Sequence, residues 1–227
     1  MDIRINEVDY SWHDSFATMS IDEYMELIKH VILPPNERVS KYTGIPLDVI
    51  NRMTTHQFRL IAESVEYIEN EALLNALAEP YTGKIVNESE YRKLIKVKGL
   101  TKESNIIDHA VGIAEIYTGE KLAGSLLLES WHKVSFYLRS LTAFFERFKR
   151  LNTFEHTDEE IMAGVERLAI YGDFATIVKI GRERGMSNDE VLSLSAEEVY
   201  MEMLLDFDRS EFQKEYQRII NQKLTLS

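Results

Sequence analysis

The chain has 227 residues, a formal net charge of −12 from 26 basic and 38 acidic side chains, and 44% hydrophobic content, enough for a buried core beneath a surface that on average repels phosphate backbones. The absence of cysteine, with only 10 glycines and 4 prolines, excludes a disulfide framework, a thiol nucleophile, a cysteine zinc site and a collagenous chain. The acidic start Met1 to Glu7 lacks the basic-then-apolar form of a signal peptide, and no stretch approaches the roughly 18 apolar residues of a membrane span. Neither secretion nor membrane insertion is expected, and nucleic acid is demoted as a partner.

In chain order, Ile3-Arg4-Ile5-Asn6 alternates as a short strand, and Ile21, Tyr24, Leu27, Ile28 and Val31 then recur at three and four as one face of a helix. Val39 to Met53 has the form of a helix-turn-helix, with Gly44 in the turn and Leu47 to Met53 as the second helix. That helix offers only Asn51 and Arg52 to base edges and Lys41 to phosphate, so a structural helical hairpin is the simpler reading and a DNA-binding regulator the rival one. Phe58, Ile61, Ala62, Val65 and Ile68 predict a further helix. Tyr91 to Lys98 reads as a strand behind the turn-rich Asn87-Glu88-Ser89-Glu90. Helical spacing returns in Leu141, Phe144, Phe145 and Phe148, and in Ile161, Val165 and Leu168. A Ser or Thr followed three residues later by an acid or amide marks helix starts at Ser20/Glu23, Thr54/Gln57, Thr157/Glu160, Ser187/Glu190 and Ser195/Glu198.

Repetition gives the organisation. Tyr42-Thr43-Gly44-Ile45-Pro46-Leu47 is echoed by Tyr117-Thr118-Gly119-Glu120-Lys121-Leu122, although composition alone predicts only about 0.03 Tyr-Thr-Gly triplets. Asp48, Ile50, Met53, Thr54 and Phe58 match Asp189, Val191, Leu194, Ser195 and Val199 at one constant offset, each set reading as a short helix, a cap and a longer helix. The expected fold is therefore mainly α with short β-hairpins, built from repeated helical-hairpin units over 1–80, 81–152 and 153–227, each near the lower size limit for an independent core.

Candidate chemistry is sparse. His13, His30, His56, His109, His132 and His156 show no metal-ligand spacing, and His156 beside Asp158, Glu159 and Glu160 is better read as an acid-rich first helical turn. No glycine-rich phosphate loop or nucleophile elbow is present, and the adjacent Glu197 and Glu198 point about 100° apart on a helix. No catalytic, cofactor-binding or metal residue is assigned; a hydrolase or transferase would need His56, His132 and carboxylates gathered in one pocket. The dense aromatic stretch Trp131, Phe136, Tyr137, Phe144, Phe145 and Phe148 admits two accounts: core packing, or an exposed anchor for another subunit rimmed by Arg139, Arg147, Lys149 and Arg150. The acids Glu202 and Asp206 of the last helix are candidate contacts for a basic surface.

Three segments, Val39 to Phe58, Tyr91 to Ile116, and Tyr171-Gly172-Asp173 with Asp189 to Tyr200, resemble structural or assembly proteins of tailed bacteriophages, the crAss-like phages in particular. The chain departs from that pattern at Asp173, where another small or polar residue is expected, and at Ala123-Gly124-Ser125, which replaces the acid-capped short helix. The resemblance implies a connector or tail component, as a ring subunit or a tail-assembly chaperone, in the virion or in host cytoplasm during assembly. Its partners would be other virion or tail-assembly proteins or further copies of itself, and it implies no catalytic residue and no cofactor.

Overall fold

The computed structural model describes residues 1–5, 7–102, 105–151, 161–162 and 164–225. Among the described residues the fold is mainly helical with one two-stranded antiparallel sheet. Two compact units are present, each assembled from separated stretches: Met1–Gly83 with Glu103–Leu138, and Lys84–Lys102 with Arg139–Ser227.

The first unit opens with β1 (Asp2–Ile5) and β2 (Val8–Ser11), paired from Asp2↔Ser11 to Ile5↔Val8. Its helices are α1 (Ile21–Ile28), α2 (Pro35–Thr43), α3 (Leu47–Ile50), α4 (Thr55–Val65) and α5 (Glu71–Leu77). The later stretch adds α7 (Ala110–Thr118) and the start of α8 (Leu127–Arg147). Phe16, Met19, Ile21, Tyr24, Ile113 and Leu127 are buried in its core, where Tyr24 meets Trp131 edge to face at 5.3 Å.

The second unit contains α6 (Tyr91–Leu100), the rest of α8, α9 (Gly172–Arg184), α10 (Asn188–Ser193) and α11 (Ala196–Thr225). Its core gathers Leu94, Leu141, Phe144, Ile180, Val191 and Val199. The strand expected at Tyr91 to Lys98 is instead α6. Tyr91, Leu94 and Val97 are spaced by three and all buried, so one helical face satisfies the burial that alternation would have split between two sides of a sheet. Ile161 and Leu168, expected on a buried helix face, are exposed, and Val165–Tyr171 is a 3-10 segment. The Thr157/Glu160 cap and the His156 cluster lie outside the described residues.

The repeats of the sequence are repeats of hydrogen bonding. In α2, the Thr43 hydroxyl donates to the Val39 carbonyl at 2.7 Å and accepts from the Ile45 N–H at 3.3 Å. In α7, Thr118 donates to the Ala114 carbonyl at 2.9 Å and accepts from the Glu120 N–H at 3.1 Å. Between these bonds Gly44 and Gly119 take φ of 71° and 77°, the left-handed conformation that ends a helix and that a side chain disfavours. Gly185 closes α9 at φ 67°, so helix, left-handed glycine, short helix, cap and long helix recur from α2 to α4 and from α9 to α11.

Each unit also ties two helix starts together by a pair of backbone bonds. In the first, the Ile21 N–H donates to the Ser125 carbonyl at 3.0 Å and the Leu127 N–H to the Met19 carbonyl at 2.9 Å, joining the entries of α1 and α8. In the second, Tyr91 donates to Leu194 and Ala196 to Ser89, both at 2.8 Å, joining α6 and α11. Backbone donors orphaned at a helix N-terminus thereby find acceptors in the neighbouring segment.

Reciprocal capping boxes start α1, α4 and α10, and Ser195 and Glu198 exchange the same bonds ahead of α11. Ser195→Ala is expected to lower stability by about 1 kcal/mol, measured as a shifted urea midpoint with an unchanged slope; an unshifted midpoint would remove the cap's role. Glu23, Glu190 and Glu198 are held below the usual carboxylate range, first by the backbone N–H and then by the hydroxyl of their serines. A depressed folded value means that this stabilisation is present above the unfolded value of about 4.3 and is lost as pH falls through the folded one. The Thr54/Gln57 box has no such dependence.

Candidate docking surface

The aromatic stretch of α8 packs inward. Trp131 and Tyr137 are buried in the first unit, Phe144 and Phe148 in the second, while Phe136 and Phe145 are half-buried. Trp131 Nε1 donates to Asn75 Oδ1 at 2.7 Å, and Tyr137 stacks on Tyr117 at 4.9 Å. Of the two accounts of these rings, packing within the fold therefore describes the four buried ones. The expected charged contacts are spent inside the second unit: Arg147 pairs with Glu197 and Arg150 with Asp208, both at 2.6 Å, Glu202 pairs with Arg184, and Asp206 with Lys179.

The helix-turn-helix residues are likewise placed by local needs. α3 is a single turn ending at Ile50, short of the expected Met53. Asn51 Oδ1 accepts from Asn36 Nδ2 at 2.9 Å, and Arg52 lies 3.7 Å from Asp48. His56 is exposed in the first turn of α4, whereas His132 Nδ1 donates to the Glu79 carbonyl at 2.6 Å. Among the described residues no group of three His, Asp or Glu side chains could hold a metal ion, and no described helix is long and apolar enough to cross a membrane.

One polar cluster lies inside the second unit. Asp173, in the first turn of α9, accepts from the Tyr91 hydroxyl at 2.8 Å and from Lys98 Nζ at 2.5 Å. Burial, and then the Asp173 charge, push the Tyr91 hydroxyl far up from its ordinary range, while Tyr200 is pushed up to about 12 by the same two causes. A hydroxyl so raised remains protonated at neutral pH, and Asp173 is the acceptor it needs inside the core. Asp173 departs from the resembled pattern, and nothing in the sequence marked it as a partner of Tyr91 eighty-two positions away.

The longest helix is left with an unused face. At 100° per residue, Ala196, Val199, Tyr200, Met203 and Phe207 of α11 point one way, and all are buried or half-buried. Met201, Leu205, Phe212, Tyr216 and Ile219 fall on the opposite side and are exposed, Phe212 at 69% and Tyr216 at 53%. No family model, curated protein or solved structure matches the chain. The outward stripe of α11 runs about 27 Å from Met201 to Ile219, at 1.5 Å per residue. The Phe212 and Tyr216 rings, one turn apart, stack with centroids at 6.1 Å. Sequence reasoning missed the stripe because apolar residues on two opposite sides of a helix cancel in any one-sided pattern, yet the spacing of 205, 212, 216 and 219 is there to be read.

Proposed function

We propose that this chain is a non-enzymatic docking protein that binds other proteins through helical surfaces, and that it serves in building a phage connector or tail. The observation that carries the docking reading is the outward stripe of α11, an aromatic and aliphatic row on a helix whose first part, Ala196 to Phe207, is anchored to the second unit and whose later part is exposed on every side. Exposed aromatic rows of this kind supply most of the energy of protein interfaces, and the charged positions around them act as a rim. The phage assignment is supported by the sequence resemblance, which favours a ring subunit or tail-assembly chaperone with virion proteins as partners.

The test is to mix the full chain with each structural protein encoded beside it and to resolve the products by native mass spectrometry. A stoichiometric complex with at least one of them is expected, weakened at least about tenfold by the double variant Phe212→Ser/Tyr216→Ser, a loss in keeping with removal of interface anchors. If every neighbour leaves the chain uncomplexed, the docking reading fails.

A further inference from the structure

We infer that the outward stripe of α11 is covered by a second copy of the same helix, running antiparallel, so that the protein is a dimer through its C-terminal helix. The inference rests on the docking reading above and names the occupant of that surface in the absence of a virion partner.

The stripe has the width and period of a helix-pairing seam. Leu205, Phe212, Tyr216 and Ile219 are separated by seven, four and three, with Arg209 filling the missing position between Leu205 and Phe212. A row alternating by three and four is narrow, and it meshes best with another helix carrying the same row, where each side chain enters a gap between four of its partner's. A groove in a globular partner would more often draw on a broader apolar face.

Charge along the end of the helix is close to balanced. The whole chain carries −12, so two copies repel on average, but residues 208 to 225 hold three acids and four bases. Several of these neutralise one another along the helix itself, Lys214 with Glu211 at 3.4 Å and Arg218 with Glu215 at 2.7 Å. This end of the helix therefore carries close to no net charge, which removes the average repulsion where two copies would meet.

Arg209 sets the direction of the pair. In a parallel pair each seam residue faces its own counterpart, which would place Arg209 against Arg209. In an antiparallel pair centred on the two rings, Phe212 faces Tyr216 and Arg209 faces Ile219. The arginine stem then lies on an aliphatic side chain while its guanidinium reaches water. A row this short buries less than the roughly 1,200 Å² at which stable interfaces begin, so association should be reversible at micromolar concentration.

The experiment is sedimentation equilibrium of the full chain alone across a concentration series, with two single-cysteine variants made in the naturally cysteine-free background. The mass should rise from 26.4 kDa towards twice that value as concentration increases. Phe212→Ser/Tyr216→Ser should hold it at the monomer with an unchanged helical circular dichroism signal, and Phe174→Ser, at an exposed aromatic on α9, should leave the dimer intact. Under mild oxidation an equimolar mixture of F212C and Y216C should give a disulfide-linked dimer, while neither variant cross-links alone. A chain that stays monomeric throughout overturns the inference, as does dimerisation that survives the double substitution or is abolished by Phe174→Ser. Cross-linking of each single variant with itself would overturn the antiparallel arrangement. A monomer that still binds a neighbouring virion protein would sink the second copy and leave the docking reading standing, whereas a dimer that binds no neighbour would do the reverse.

Discussion

Replacing Phe144 by alanine is expected to destabilise the second unit by about 4 kcal/mol, the range found when a fully buried aromatic is truncated and its site cannot collapse. The ring has no exposure, and it meets Tyr200 at 4.8 Å, Phe148 at 5.0 Å and Phe145 at 5.8 Å. Alanine would therefore leave a hole bounded by three further rings and strip the edge-to-face contacts with Tyr200 as well as transferred area. Urea or guanidinium unfolding followed by near-ultraviolet circular dichroism reads the change. A loss below about 1 kcal/mol would mean that the aromatic cluster does not hold α8 and α11 together as described. Phe145, one position on and half-buried, should cost distinctly less, which serves as the internal control.

Asp173→Ala should have the next largest effect, a loss of about 2 to 3 kcal/mol, because it leaves the Tyr91 hydroxyl inside the core without its acceptor. Tyr91 has no solvent exposure, and its described hydroxyl bond goes to Asp173. The double variant Tyr91→Phe/Asp173→Ala should recover part of the loss, since the orphaned donor is gone; if it is as unstable as the single variant, the carboxylate acts elsewhere. The same cluster sets an alkaline limit. Burial raises the folded value for Tyr91 above the unfolded one, so its contribution is fully present below about pH 10 and lost as pH rises through the folded value. Tyr91→Phe should flatten the alkaline arm of the stability profile.

Much of the local structure is legible in the sequence because it is encoded by short-range chemistry. Ser20 with Glu23, Thr54 with Gln57, and Ser187 with Glu190 all become the capping boxes that their spacing announces. The paired Tyr-Thr-Gly segments become the same left-handed helix end with the same threonine bonds, because glycine there answers a backbone demand. The predominance of helix is legible for the same reason.

What escaped reading depends on partners far along the chain. Tyr91 to Lys98 is compatible with period two and period three, and only the neighbours packed on Tyr91, Leu94 and Val97 decide for the helix. The α8 aromatics are equally dense whether they face a core or a partner, and burial separates the two uses. The acids of α11 look like an open patch until Arg184, Lys179 and Arg150 are found beside Glu202, Asp206 and Asp208. The outward stripe is hidden for the opposite reason, since nothing in the unit touches it and its signal is diluted by the buried row on the other side.

The backbone ties between helix starts bear on how the chain is made. Ser20 is joined to Leu126, and Glu90 to Ser195, each across roughly a hundred residues, a closure whose entropy must be met before the tie gives anything back. On a ribosome, α1 emerges long before the segment that seals it, and residues of the second unit are extruded while the first is still open. Folding from the amino end therefore stalls until about 130 residues are out. For that interval the nascent polypeptide exposes an incomplete core, so a chaperone acting on it should raise the yield of native protein.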